Sequence, residues 1–177
     1  MHDPRTDEAI DALLAGRARR RGRPPGTALV PADGGRGFEG LESRLAWNDA
    51  LGRENARQQR YSRATSIVAF SIEPLSEVAR TDRWLDRVAA PVSHAIRRGA
   101  RETDLVTRAA PGLFQVLLPE TTEPEASAFA DRILADCRVW LDALSAPVAI
   151  HAAAAGTMGD SSLSETLDRA LDLLRVG

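Results

Sequence analysis

Two short apolar runs, residues 105–108 and 113–118, are separated only by Ala109-Ala110-Pro111-Gly112. A connection that short between two strand-like segments forces an antiparallel hairpin, with Pro and Gly at its tip. An isolated hairpin is marginal in water, so the pair must belong to a larger sheet with a covered face. The chain supplies the remaining strands. Residues 66–73 (Ser-Ile-Val-Ala-Phe-Ser-Ile-Glu) form a β-branched apolar run suited to a central strand, and residues 148–155 form another. Pro119 ends the second hairpin strand.

Helical spacing fills the intervals. Leu41, Leu45, Ala50 and Leu51 start a charged helix that runs to Tyr61. Trp84, Leu85, Val88, Val92 and Ile96 mark the next, in which Pro91 is predicted to cause a kink or set the effective start. Ala126, Phe129, Ala130, Ile133, Leu134, Cys137, Trp140 and Leu141 give the clearest apolar stripe. Ser161 or Ser162 caps a last helix carrying Leu163, Leu167, Ala170, Leu171 and Leu174. The resulting β-α-β-β-α-β core, with a helix before and after it, predicts an α/β (α+β) domain. Its arrangement is ferredoxin-like, a mostly antiparallel sheet flanked by helices.

Residues 1–36 differ in kind. Gly16-Arg17-Ala18-Arg19-Arg20-Arg21-Gly22-Arg23-Pro24-Pro25-Gly26 combines like charge with Pro and Gly and cannot bury enough surface to offset ordering entropy. This segment reads as a disordered, solvated tail, with a short helix over residues 7–14, and the folded domain as residues 37–177. All 23 basic residues are arginine, so no lysine serves as a phosphate clamp or general base. One cysteine excludes an intrachain disulfide and a multi-cysteine zinc site. A net charge of −2 argues against nucleic acid as a partner. No run approaches membrane-span length and no signal core is present, which predicts a cytoplasmic protein.

Around the hairpin the sequence resembles the GGDEF (diguanylate cyclase) domain family. Arg101-Glu102-Thr103-Asp104 and Arg108 match that family's R-x-x-D-x-x-x-R, and Phe114 to Pro119 match its F-x-x-L-L-P. Phe38-Glu39-Gly40-Leu41-Glu42-Ser43-Arg44 is similar to its opening "LTGLPNR". Arg60-Tyr61-Ser62-Arg63 precedes the first strand, Ala130-Asp131-Arg132-Ile133 resembles its "AERI", and Asp168-Arg169-Ala170-Leu171 its last helix. The resemblance covers residues 38–175 and implies a nucleotidyl-cyclase-type fold.

It also implies a reaction for which this chain lacks the groups. Joining two GTP molecules needs carboxylates for Mg²⁺ and a tip whose backbone admits the nucleotide. By family register the strand carboxylate falls at Ser71. Ala110, Pro111, Gly112 and Leu113 stand where the family has Gly, Gly, acid and acid. Pro111 removes an N–H and fixes φ. The family's lysine in the last helix falls at Arg175, and the loop after the first strand is shortened by two residues and lacks its asparagine. Asp86 falls at the guanine-reading aspartate, a position where a surface acid or cap is the simpler role. Glu73, two residues from Ser71 on one strand face, is the remaining weak metal ligand. The expectation is therefore no catalysis, no catalytic or metal residues and no cofactor.

The resemblance further implies a product-binding site. Arg101 and Asp104 would hold cyclic di-GMP with Arg132 from the following helix, and Arg97 and Arg98 would add positive field. Guanidinium groups bind guanine edges or phosphates in pairs of bonds, and a carboxylate accepts guanine N–H groups. The simpler account is that these arginines decorate a helix C-terminus. Three functional readings follow: an inactive module that binds cyclic di-GMP and signals to a protein partner or a second copy, a nucleotide-independent interaction domain, and a residual cyclase. His2 falls in the tail, His94 on a polar helix face and His151 in a strand; Cys137, Trp47, Trp84 and Trp140 read as core.

Overall fold

The computed structural model describes residues 38–176. The tail assigned to residues 1–36, its short helix and the boundary at residue 37 lie outside the described residues. Four helices and four strands follow in the order α1 (Arg44–Tyr61), β1 (Thr65–Pro74), α2 (Asp82–Gly99), β2 (Leu105–Ala110), β3 (Leu113–Pro119), α3 (Glu123–Leu144), β4 (Val148–Gly156) and α4 (Leu163–Val176). A single 3₁₀ turn, Val78–Arg80, leads into α2. The sheet order is β2-β3-β1-β4, and each neighbouring pair is antiparallel. This is the predicted β-α-β-β-α-β core.

Residue alternation along β1 divides the core. Val68, Phe70 and Ile72 join Phe114, Val116 and Leu118 against Trp84, Val88, Val92, Phe129, Ile133 and Cys137 of α2 and α3. Ile67 and Ala69 point the other way, with Leu117 and Ala155, onto Trp47, Leu163 and Ala170 of α1 and α4. All three tryptophans and Cys137 are buried, as their helical positions predicted. Pro91 lies within α2, which runs unbroken from Asp82 to Gly99, so it does not set the helix start.

Two boundaries differ from expectation. The first helix begins at Arg44, because the Ser43 Oγ accepts the Ala46 N–H at 3.2 Å. Leu41 is buried ahead of it, in a segment where Glu42 N–H donates to the Val106 carbonyl. The hairpin is also tighter than four residues. β2 continues to Ala110 through a register shift after Arg108, leaving a two-residue tip, Pro111-Gly112.

Both later helices are closed at their starts by a glutamate three residues on. Thr122 N–H and hydroxyl donate to one Glu125 oxygen (2.8 and 2.7 Å). Ser162, not Ser161, does the same with Glu165, whose N–H donates back to the Ser162 Oγ at 3.2 Å. The backbone N–H of Thr122, then its hydroxyl, holds the Glu125 pKa below the usual value of 4.5; Ser162 acts likewise on Glu165. A carboxylate with a depressed folded-state pKa contributes stability that is complete above its unfolded value and disappears as pH falls through the folded one. The destabilisation caused by Glu125→Gln in thermal melts is therefore expected to be full at neutral pH, to shrink as pH falls below the ordinary glutamate value, and to vanish once pH lies below the depressed folded-state pKa, where the carboxyl is neutral. A difference independent of pH would contradict this.

Candidate functional site

The hairpin tip lies directly on β1. Ile72 N–H donates to the Gly112 carbonyl at 2.8 Å, and a Cβ on Gly112 would stand 3.0 Å from the Ile72 carbonyl oxygen. Arg108 wraps the tip. Its Nε and Nη2 both donate to the Pro111 carbonyl (3.0 and 2.6 Å), Nη2 also meets Asp86 Oδ1 at 2.5 Å, and its guanidinium lies 4.3 Å from the Phe38 ring centroid. The Arg108 side chain is only 9% exposed, whereas Asp86 is half in solvent. Asp86 is thus a charge partner for Arg108 rather than an unengaged acceptor.

Ser71 pairs with Leu113 on one side and His151 on the other, so the three side chains share one sheet face. On the same face His151 Nε2 and Glu73 Oε2 are 3.1 Å apart. The donors near the tip are then a hydroxyl, two carboxylates already engaged (Glu73 by an imidazole and Asp86 by the Arg108 guanidinium), and backbone. That set does not fit Mg²⁺, which takes several oxygens in octahedral array. Among the described residues no group of three or more His, Cys, Asp or Glu is placed to share a metal. Arg175 pairs with Asp172 on the outer part of α4.

The second group of candidate residues lies at the opposite end of α2. Asp104 is buried, and the geometry shows what holds it there. Its Oδ2 accepts the Arg101 N–H at 2.6 Å, its own N–H donates to the Arg101 carbonyl at 3.2 Å, and Arg97 Nη1 reaches its carbonyl at 3.3 Å. The other carboxylate oxygen, Oδ1, is buried without a hydrogen-bond partner. Arg98 pairs with Asp136 of α3 at 2.5 Å. Arg132 bonds within its own helix, to the Ala128 carbonyl at 3.3 Å, and lies 5.8 Å from the Phe129 ring centroid. No hydrogen bond or ion pair joins Arg132 to Arg101 or Asp104.

The Arg101 side chain is exposed and lines a cleft of about 530 Å³ on the α1 side of the sheet. Arg53, Glu54 and Arg57 of α1 face it there, with Thr103, Pro119 and Glu120. Arg57 and Arg63 both hold Glu120 at 2.6 Å, so part of this charge is internally matched. The sequence reading missed Arg53 and Arg57. Their spacing of four along one helix was the available signal, hidden in a chain whose every cation is arginine.

No protein-family model and no curated protein matches this chain at significance. Solved structures do. The GGDEF domain of YfiN (TpbB) from Pseudomonas aeruginosa superposes with a TM-score of 0.62 at 18% identity, over 77% of this chain and 89% of that one. The fold is that of a GGDEF domain. The GGDEF domain of DgcB from Caulobacter crescentus, solved with cyclic di-GMP, gives 0.63 at 18% identity over 88% and 92% of the two chains. The diguanylate cyclase SiaD of Pseudomonas aeruginosa, in complex with its activator SiaC, gives 0.67 at 22% over 98% and 66%. Arg101 to Asp104 therefore occupy the α2–β2 loop of a GGDEF fold, and Pro111-Gly112 its hairpin tip, between the strand ends Ala110 and Leu113. Among the described residues no helix is long and apolar enough to cross a membrane.

Proposed function

We propose that this chain is a GGDEF-like signalling module without cyclase activity, reading cyclic di-GMP through the Arg101–Asp104 loop and acting through a protein partner or a second copy in the cytoplasm. The observation that carries the reading is the contrast between its two loops. At the hairpin, a tip with no acid is folded onto β1 and pinned to Asp86 by Arg108. At the other end, Arg101 is left exposed over an open cleft whose lining also includes Arg53 and Arg57 of α1. Guanidinium groups lining one cleft suit a ligand with two phosphates and two purine faces. Arg132 would join them from α3 by leaving Phe129, and Arg97 and Arg98 set a positive field at the loop.

The burial of Asp104 favours one alternative. A carboxylate that caps its own loop needs no ligand to account for it, so the domain would then serve as a nucleotide-independent interaction module.

Calorimetry separates these readings. Cyclic di-GMP is expected to bind the full chain, and Arg101→Ala is expected to lower affinity by about tenfold or more, the scale of a lost charge-assisted pair. Absence of heat with the unsubstituted protein leaves only the interaction module. GTP with Mg²⁺ should yield no product; measurable turnover would return the residual-cyclase reading.

A further inference from the structure

β4 is an edge strand, and its hydrogen-bonding polarity is fixed by its neighbours. Thr157 N–H donates to the Thr65 carbonyl, and Leu75 N–H to the Pro147 carbonyl. In an antiparallel ladder both observations assign the odd-numbered residues of β4 to β1. The even-numbered residues therefore direct N–H and C=O groups outward.

At both ends of the strand these outward groups are taken. Val148 N–H turns back to the Ala146 carbonyl. Gly156 N–H donates to Glu123 Oε2 at 2.7 Å, and Arg169 Nη2 donates to the Gly156 carbonyl at 2.5 Å. Between them, Ile150, Ala152 and Ala154 make no outward hydrogen bond among the described residues.

Edge strands are normally blunted by charge, proline or a bulge, and the middle of β4 has none of these. Its sequence there is Ile150-His151-Ala152-Ala153-Ala154, in a chain that is 27% charged. The opposite edge is different: β2 carries Arg108, and Glu42 pairs with it at Val106 and Thr107.

We propose that this window in β4 is a dimerisation edge, occupied by β4 of a second copy of the chain, antiparallel about a two-fold axis at Ala152. In that register Ala152 faces its counterpart and each Ile150 faces the other copy's Ala154. Three donors and three acceptors on one copy then meet three acceptors and three donors on the other. A neutral edge needs a neutral strand beside it, and β4 meets that condition with itself. His151 is no obstacle, since it lies on the α4 side of the sheet, held by Glu73. An isologous pairing of this kind closes on itself and leaves no new edge at the junction.

The test uses the full chain in sedimentation equilibrium, with hydrogen exchange read at single amides. The expected result is an apparent mass that doubles with concentration. The Ile150, Ala152 and Ala154 amides should exchange at least ~10-fold more slowly in the dimer and lose that protection on dilution. Ala152→Pro, whose lost N–H points away from β1, is expected to leave the ladder intact and the protein monomeric. Should that variant fail to fold, exchange in the unsubstituted chain still decides. A monomer at all concentrations, a dimer in which these amides exchange freely, or protection that persists in the monomer would each overturn the proposal, the last by placing another part of the chain on the edge.

Discussion

Phe70→Ala is expected to remove about 3–5 kcal/mol of folding stability, the range for deleting a fully buried phenylalanine. Phe70 sits at the centre of β1, has no solvent exposure, and meets Phe129 of α3 edge-to-face at 6.3 Å. Its ring thus joins the central strand to the longest helix. The neighbours cannot collapse into the space without breaking the β1 ladder to β3 and β4, so most of the cavity would remain. Domains of this size have only roughly 5–15 kcal/mol in hand, which makes the loss a large fraction of the total. Urea titration followed by circular dichroism should show a lower midpoint with an unchanged slope. A loss of under about 1 kcal/mol would mean that the α3 packing described above is wrong.

Gly156→Ala is expected to cost about 1–3 kcal/mol through overpacking, although it adds one methyl group. A Cβ at Gly156 would stand 2.9 Å from the Glu123 Cβ, 3.2 Å from the Glu123 N and 3.1 Å from the Ser66 Oγ. None of these is the far end of a flexible side chain. Relief requires moving the start of α3, which loosens the Glu123 carboxylate from Gly156 N–H and from Arg169. Gly52→Ala provides the control of opposite sign. Gly52 lies within α1 with nothing within 4 Å of its Cβ position, so alanine there should stabilise by about 0.5–1 kcal/mol. Thermal melts of the two variants must move in opposite directions. If both rise, the close approach at Gly156 is not real.

Much of the fold was legible in the sequence because each element buries one face with a clear period. The α3 stripe from Ala126 to Leu141 is the plainest case, and every aromatic residue on it is buried. The hairpin was legible as a hairpin but not in its turn, since the register shift between Arg108 and Ala110 is a property of the β2–β3 pairing that no local propensity encodes.

The candidate site was less legible. Arg101, Asp104 and Arg132 were named from spacing along the chain, but spacing says nothing of which way a side chain turns. Asp104 turns inward because the Arg101 N–H, in the loop between α2 and β2, needs an acceptor. Arg132 lies along its own helix beside Phe129, an arrangement as favourable for an exposed arginine as a vacant pose in solvent. Arg53 and Arg57 reach the cleft only because α1 packs across the start of β2, a tertiary relation between residues some fifty apart.

The Arg108 contacts also determine how this end of the domain comes apart. One guanidinium touches Phe38, Asp86 and Pro111, three segments distant in sequence, while Gly112 is bonded to Ile72. None of these segments gains much by fraying alone, because separation of any one strips a nearly buried cation of a partner. They therefore form a single cooperative opening unit, with the lead-in to α1, the first turns of α2 and the hairpin tip sharing one local unfolding step.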